Sequence, residues 1–95
     1  MDLYDDLYDE LCNKLCWKIK DQLNDTYVSV SYIQSSDLLE IYVRHRDLKF
    51  GYNIRNLSRR ILYGYSIDQI TRDFITEWKK YVYNEFFKKK KIKPA

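Results

Sequence analysis

The sequence predicts an α+β domain: one helix, a three-stranded antiparallel meander, then two more helices. Apolar residues recur at three- and four-residue spacing over residues 2–23 and again from about residue 67. Between these segments the period falls to two, in three runs separated by short polar turns. Ninety-five residues are one domain's worth of chain. The helices should therefore cover one face of the sheet in a two-layer α-β-β-β-α-α arrangement.

The first helix, residues 2–23, carries Leu7, Leu11, Leu15, Ile19 and Leu23 along one stripe, with Tyr4, Tyr8, Cys12 and Cys16 beside them. Its first turns hold Asp2, Asp5, Asp6, Asp9 and Glu10, and its later turns hold Lys14, Lys18 and Lys20. That order complements the helix dipole at both ends. In the first strand Val28, Val30 and Tyr32 alternate with Tyr27, Ser29, Ser31 and Ile33. Residues 34–37 supply the turn, and Leu39, Ile41, Val43 and His45 then alternate with Glu40, Tyr42, Arg44 and Arg46. After Arg46-Asp47 a third strand sets Leu48, Phe50 and Tyr52 against Lys49, Gly51 and Asn53.

Residues 54–63 read as a short helix with Ile54, Leu57 and Ile61 on one side and Gly64 at its C′ position. Ser66 with Gln69 forms a capping box for the last helix, whose stripe is Ile67, Ile70, Phe74, Ile75, Trp78, Tyr81, Val82 and Phe86. The domain is expected to span residues 1–87. Residues 88–95, with lysine at 88–91 and 93, are read as a basic, disordered tail.

Composition excludes several classes of function. No apolar run approaches a membrane span, and the acidic N-terminus lacks the apolar core of a signal peptide, so a cytoplasmic protein with no membrane partner is expected. Cys12 and Cys16 face the leucine stripe, which favours buried thiols over zinc ligands. The single histidine, His45, falls at the inward-facing end of a strand, without a nucleophile near it in sequence. The two glycines make no phosphate-cradling loop. No catalytic residue, metal site or cofactor is expected, and the chain reads as a non-enzymatic binding protein.

Two kinds of surface could carry that binding. Arg44, Arg46, Lys49, Arg55, Arg59 and Arg60 stand against Asp47 alone between residues 42 and 60, with Tyr42, Tyr52 and Tyr63 interleaved or close by. Cations for phosphates and rings for stacking suit nucleic acid, and an acidic protein partner would meet the same charges. Trp17 falls on the polar side of the first helix, and Tyr83 and Phe87 fall off the stripe of the last. Such rings mark a protein interface or are covered by a neighbouring element. The two edges of a three-stranded sheet also admit a homodimer.

The order helix, tyrosine-rich meander (residues 27–52), then two helices joined at Gly64-Tyr65-Ser66, in a short chain of AT-rich codon composition, resembles small phage and mobile-element proteins, among them some type II anti-CRISPR inhibitors. The resemblance implies an inhibitor or regulator of a host protein or nucleoprotein, such as a CRISPR nuclease, acting inside the bacterial host cell. A small basic nucleic-acid-binding regulator is the alternative. The mildly basic net charge of +3 departs from the acidic, DNA-mimicking members, and no residue role carries over.

Overall fold

The computed structural model describes residues 3–90, so the end of the expected tail, residues 91–95, lies outside the described residues. The order is α1 (Leu3–Gln22), β1 (Tyr27–Ile33), a short 3-10 turn (Gln34–Ser36), β2 (Leu38–His45), β3 (Leu48–Arg55), α2 (Leu57–Leu62) and α3 (Ile67–Lys90). This is the expected α-β-β-β-α-α fold. The strands form one antiparallel sheet in the order β1-β2-β3.

Register divides the sheet into two chemically different faces. Toward the helices point the cross-strand rows Val28–Val43–Phe50, Val30–Ile41–Tyr52 and Tyr32–Leu39–Ile54. Leu15 and Ile19 of α1 and Ile70, Phe74 and Trp78 of α3 close over these rows, all of them buried. The rings of Phe50 and Tyr52 lie 5.8 and 5.9 Å from that of Phe74, which is fully buried. A side chain of that size in such a place contributes several kcal/mol, about 3–5 by the usual cost of truncation to alanine. Lys18 ties α1 to α3 by an ion pair with Asp68, whose carboxyl it holds below the usual range.

Two boundaries differ from the sequence reading. Ile54 belongs to β3, not to the short helix, and is buried on the strand's inner face. Its three-residue spacing to Leu57 imitates a helix, but Asn56 takes a left-handed conformation (φ 56°) and ends the strand instead. α3 continues through Lys90 rather than stopping near residue 87. Its 24 residues make a rod of about 36 Å, against about 27 Å for an eight-residue strand. The last turns therefore run past the sheet, and Phe86, expected in the buried stripe, is exposed. Leu7, expected on the buried face of α1, is exposed as well.

Three local devices anticipate these elements. Ser66 and Gln69 exchange the two hydrogen bonds of a capping box, at 3.1 and 3.2 Å. Gly64, at φ 94°, ends α2 by donating to the Ile61 carbonyl while Tyr65 donates to that of Arg60. The start of α2 is capped from a distance. Asp37, left-handed at φ 50°, accepts the backbone N–H of Ser58 at 3.1 and 3.2 Å, the Ser58 hydroxyl at 2.6 Å and the Tyr32 hydroxyl at 2.6 Å. Its carbonyl also accepts the N–H of Leu57 at 3.1 Å.

Burial alone would raise the Asp37 carboxyl, but the hydrogen bonds from Ser58 and Tyr32 outweigh it and hold the group below its usual range. Burial, and then the bond to Asp37, push the Tyr32 hydroxyl upward. Asp37→Ala should lose about 2–3 kcal/mol in chemical denaturation, since hydrogen bonds to a charged group go and a left-handed alanine is strained. Asp37→Asn, which tolerates that backbone, should lose about 1 kcal/mol. A carboxyl lowered by folding stabilises fully above its unfolded value, about pH 3.9, and less as the pH falls through the folded one. The difference between wild type and Asp37→Asn should be constant from pH 7 to about pH 5 and shrink below pH 4.

Candidate nucleic-acid interface

Alternation that buries one face of each strand exposes the other, and no described element covers it. The open face consists of four cross-strand rows: Tyr27–Arg44–Lys49, Ser29–Tyr42–Gly51, Ser31–Glu40–Asn53 and Ile33–Leu38–Arg55. The first two rows bring two rings and two cations together. Tyr27 is 55% exposed and meets Tyr42 edge-on, with ring centroids 6.3 Å apart. The Arg44 guanidinium lies 5.5 Å from the centre of the Tyr27 ring, a cation–π contact that holds the arginine on the face. Lys49 sits opposite Arg44 in the ladder. Tyr42 is flanked by Ser29 and by Gly51, where a Cβ would meet nothing within 4 Å, so space is open beside its ring.

The sequence grouped six cations between residues 44 and 60, and the sheet divides them. Arg44, Arg46 and Lys49 gather at the end of the sheet where β2 turns into β3. Arg55, Arg59 and Arg60 lie at the opposite end, about 20 Å away along the strands. Arg60 is fastened there, donating through Nε to the Arg55 carbonyl at 2.9 Å and lying over the Tyr65 ring. Tyr52 was expected among the stacking rings, but its place in the ladder puts it on the inner face against Phe74. Tyr63 is exposed beside α2, at the far end.

Arg46 is held at φ 55° in the two-residue turn of the second hairpin, a position usually given to glycine or asparagine. Among the described residues, the other non-glycine residues with positive φ are Asp25, Asp37 and Asn56, types that tolerate it. Arg46 nevertheless places a cation at the tip of the turn, next in sequence to the strand ends that carry Arg44 and Lys49.

The aromatic candidates on the helices stand elsewhere. Trp17 is 68% exposed on the outer side of α1, with the Lys20 ammonium 5.7 Å from its ring. Tyr83 and Phe87 pack on each other with centroids 4.5 Å apart on the part of α3 that overruns the sheet, and Phe86 meets Phe87 at 6.3 Å. Val82, Glu85 and Phe86 line one side of a recess of about 290 Å3, with His45, Arg46, Asp47 and Leu48 on the other. This end of α3 therefore shares the basic end of the sheet. The sequence reading missed a further groove of about 720 Å3 between α1 and α2, lined mainly by Leu7, Leu11, Ile61, Leu62 and Tyr63. It also left Tyr27 out of the site, although period two sets Tyr27 on the face of Arg44.

The reactive side chains have structural surroundings. His45 Nδ1 is 3.3 Å from the Thr26 hydroxyl. Cys12 is buried, and burial, with Asp9 and Cys16 adding to it, pushes its thiol up to about 11. Cys16 is only partly buried, and its thiol donates to the Val28 carbonyl at 3.5 Å. Among the described residues no group of three or more His, Cys, Asp or Glu side chains could hold a metal ion. No described helix is long and apolar enough to cross a membrane.

Compared with protein-family models, curated proteins and solved structures, the chain matches none. Its function rests on the geometry above.

Arg46→Gly should raise stability by about 0.5–1 kcal/mol in urea denaturation, because glycine adopts positive φ without a Cβ clash. An unchanged or lowered midpoint would show that Arg46 is not strained by its backbone.

Proposed function

We propose that the protein is a non-enzymatic binding protein that engages nucleic acid, free or as part of a nucleoprotein, through the open face of its sheet. The observation that carries this reading is the convergence of Arg44, Arg46 and Lys49 at one end of an uncovered face that also presents Tyr27 and Tyr42. Glu40 is the one acid in the four rows of that face. Phosphates supply the complementary charge, and each cation that neutralises one releases counterions.

Fluorescence anisotropy with labelled 20-nucleotide single strands and 20-bp duplexes, from about 20 to 300 mM salt, tests the proposal. Three phosphate contacts give a log–log salt slope of about −2 to −3. Arg44→Glu with Lys49→Glu should abolish binding while leaving the thermal midpoint within a few degrees. Absence of binding at low salt to either probe, or a flat salt response, would refute the reading.

A second reading, an inhibitor or regulator of a host protein or nucleoprotein of the anti-CRISPR kind, is favoured by a separate observation. Tyr83, 62% exposed, forms with Phe86 and Phe87 an aromatic cluster at the end of α3. Rings so placed supply contact energy in protein interfaces. Its test is a pull-down with a purified Cas9–guide complex: retention that Tyr83→Ala/Phe87→Ala removes would support it, and no retention of the wild type would count against it.

A further inference from the structure

Resting on the proposed nucleic-acid reading, we infer that the open face is specific for single strands, with Tyr42 as the platform on which an unpaired base stacks. The rows of the sheet make this argument. Tyr42 is the central ring of the face, on the middle strand, and its two cross-strand neighbours are Ser29 and Gly51. Neither is large enough to cover it, and a Cβ at Gly51 would find open space. Tyr27 stands edge-on to Tyr42 at 6.3 Å and forms a wall along one side. Tyr27 is the more exposed ring, 55% against 36% for Tyr42, but Arg44 already lies over it, whereas Tyr42 meets only the edge-on Tyr27 ring.

A base can use such a ring only if its own π-face is bare. In a duplex each base is stacked on its neighbours, so a ring lying on a sheet has nothing to meet. An unpaired base is free to stack, and base–aromatic stacking contributes about 1–3 kcal/mol per base. Phosphates on either side of that base fall toward Arg44 and Lys49, one row away on β2 and β3, about 7 Å along the strand. Ser29, Ser31 and Asn53 offer hydrogen-bonding groups in the same and the next row without bulk. Duplex readout asks for a different device: a helix or a protruding ribbon whose long side chains reach base edges in the groove. A three-stranded face about 10 Å across, with rings at its centre, is not shaped for it.

The discriminating experiment uses the full chain with single-stranded DNA and RNA 12-mers, and the matching duplexes, as anisotropy probes at one salt concentration. Single strands should bind at least about tenfold tighter than duplexes. Tyr42→Ala should weaken single-strand binding about 5- to 100-fold, Tyr42→Phe should retain it, and neither should change duplex binding. Circular dichroism of each variant guards against loss of fold. Equal binding of duplex and single strand, or Tyr42→Ala indistinguishable from wild type on single strands, overturns the platform but leaves a phosphate-binding face. Failure of every probe at low salt overturns both readings.

Discussion

Asp37 joins the two chain reversals on which the layered architecture depends. One is the turn between β1 and β2, the other the passage from β3 into α2. The same carboxylate accepts the Tyr32 hydroxyl from β1 and the N–H and hydroxyl of Ser58 from α2, while its carbonyl takes the N–H of Leu57. A helix of six residues is too short to hold itself together, so α2 exists because its first N–H groups are satisfied from outside. Asparagine at its own N-cap position is spent on the left-handed bend and makes no side-chain cap. With α2 fixed, Gly64 and the capping box at Ser66 start α3 over Phe50 and Tyr52. The ring of Tyr32 in turn stacks on Tyr8 of α1, at 3.9 Å. α1 and α2 thus both refer back to one left-handed aspartate.

The sheet has two edges and treats them differently. β1 carries no charged residue at all, which on a bare edge would invite pairing with another chain. Here α1 lies along it, and the Cys16 thiol reaches the Val28 carbonyl. β3 at the other edge is protected by Lys49 and Arg55 instead. Lys49 and Arg55 on the open face therefore guard an edge as well as carrying its positive charge. That double duty separates Arg44 from its neighbours, because Arg44 is on the central strand and guards nothing. It lies on Tyr27, fixed in place on a face that no other element covers.

Most of the fold was legible because the core signals are local. Period-two alternation placed all three strands on the inner face correctly, and Ser66 with Gln69 announced α3 by a motif four residues long. What failed was non-local. Ile54 fits both a strand and a helical spacing, and only Asp37, seventeen residues upstream, sets where α2 begins. Leu7 and Phe86 obey helical periodicity but face an open groove beside α2 and a recess at the end of the sheet, and periodicity carries no information about how closely a partner packs. The candidate site was legible by type and not by grouping. A basic stretch of sequence became two clusters at opposite ends, because a hairpin returns Lys49 to Arg44 while it carries Arg55 away.

That geometry also ranks the surfaces against one another. The groove between α1 and α2 is apolar, with Leu62 82% exposed, and Arg59 is the one charged residue among its described lining, so charge gives it little to recognise. The aromatic end of α3 is strongly basic, with Lys79, Lys80 and Lys88 exposed around Tyr83 and Phe87. The basic end of the sheet lies at the same end of the molecule, across the recess that separates Arg46 from Phe86. A partner that presents both phosphates and protein can touch Arg44, Lys49 and Tyr42 on one side of this end and Tyr83 on the other. A free oligonucleotide can use the open face alone. Loss of Tyr83 and Phe87 should therefore leave oligonucleotide binding intact while weakening capture of a nucleoprotein, and that separation distinguishes a nucleic-acid-binding regulator from an inhibitor that grips a protein through its bound strand.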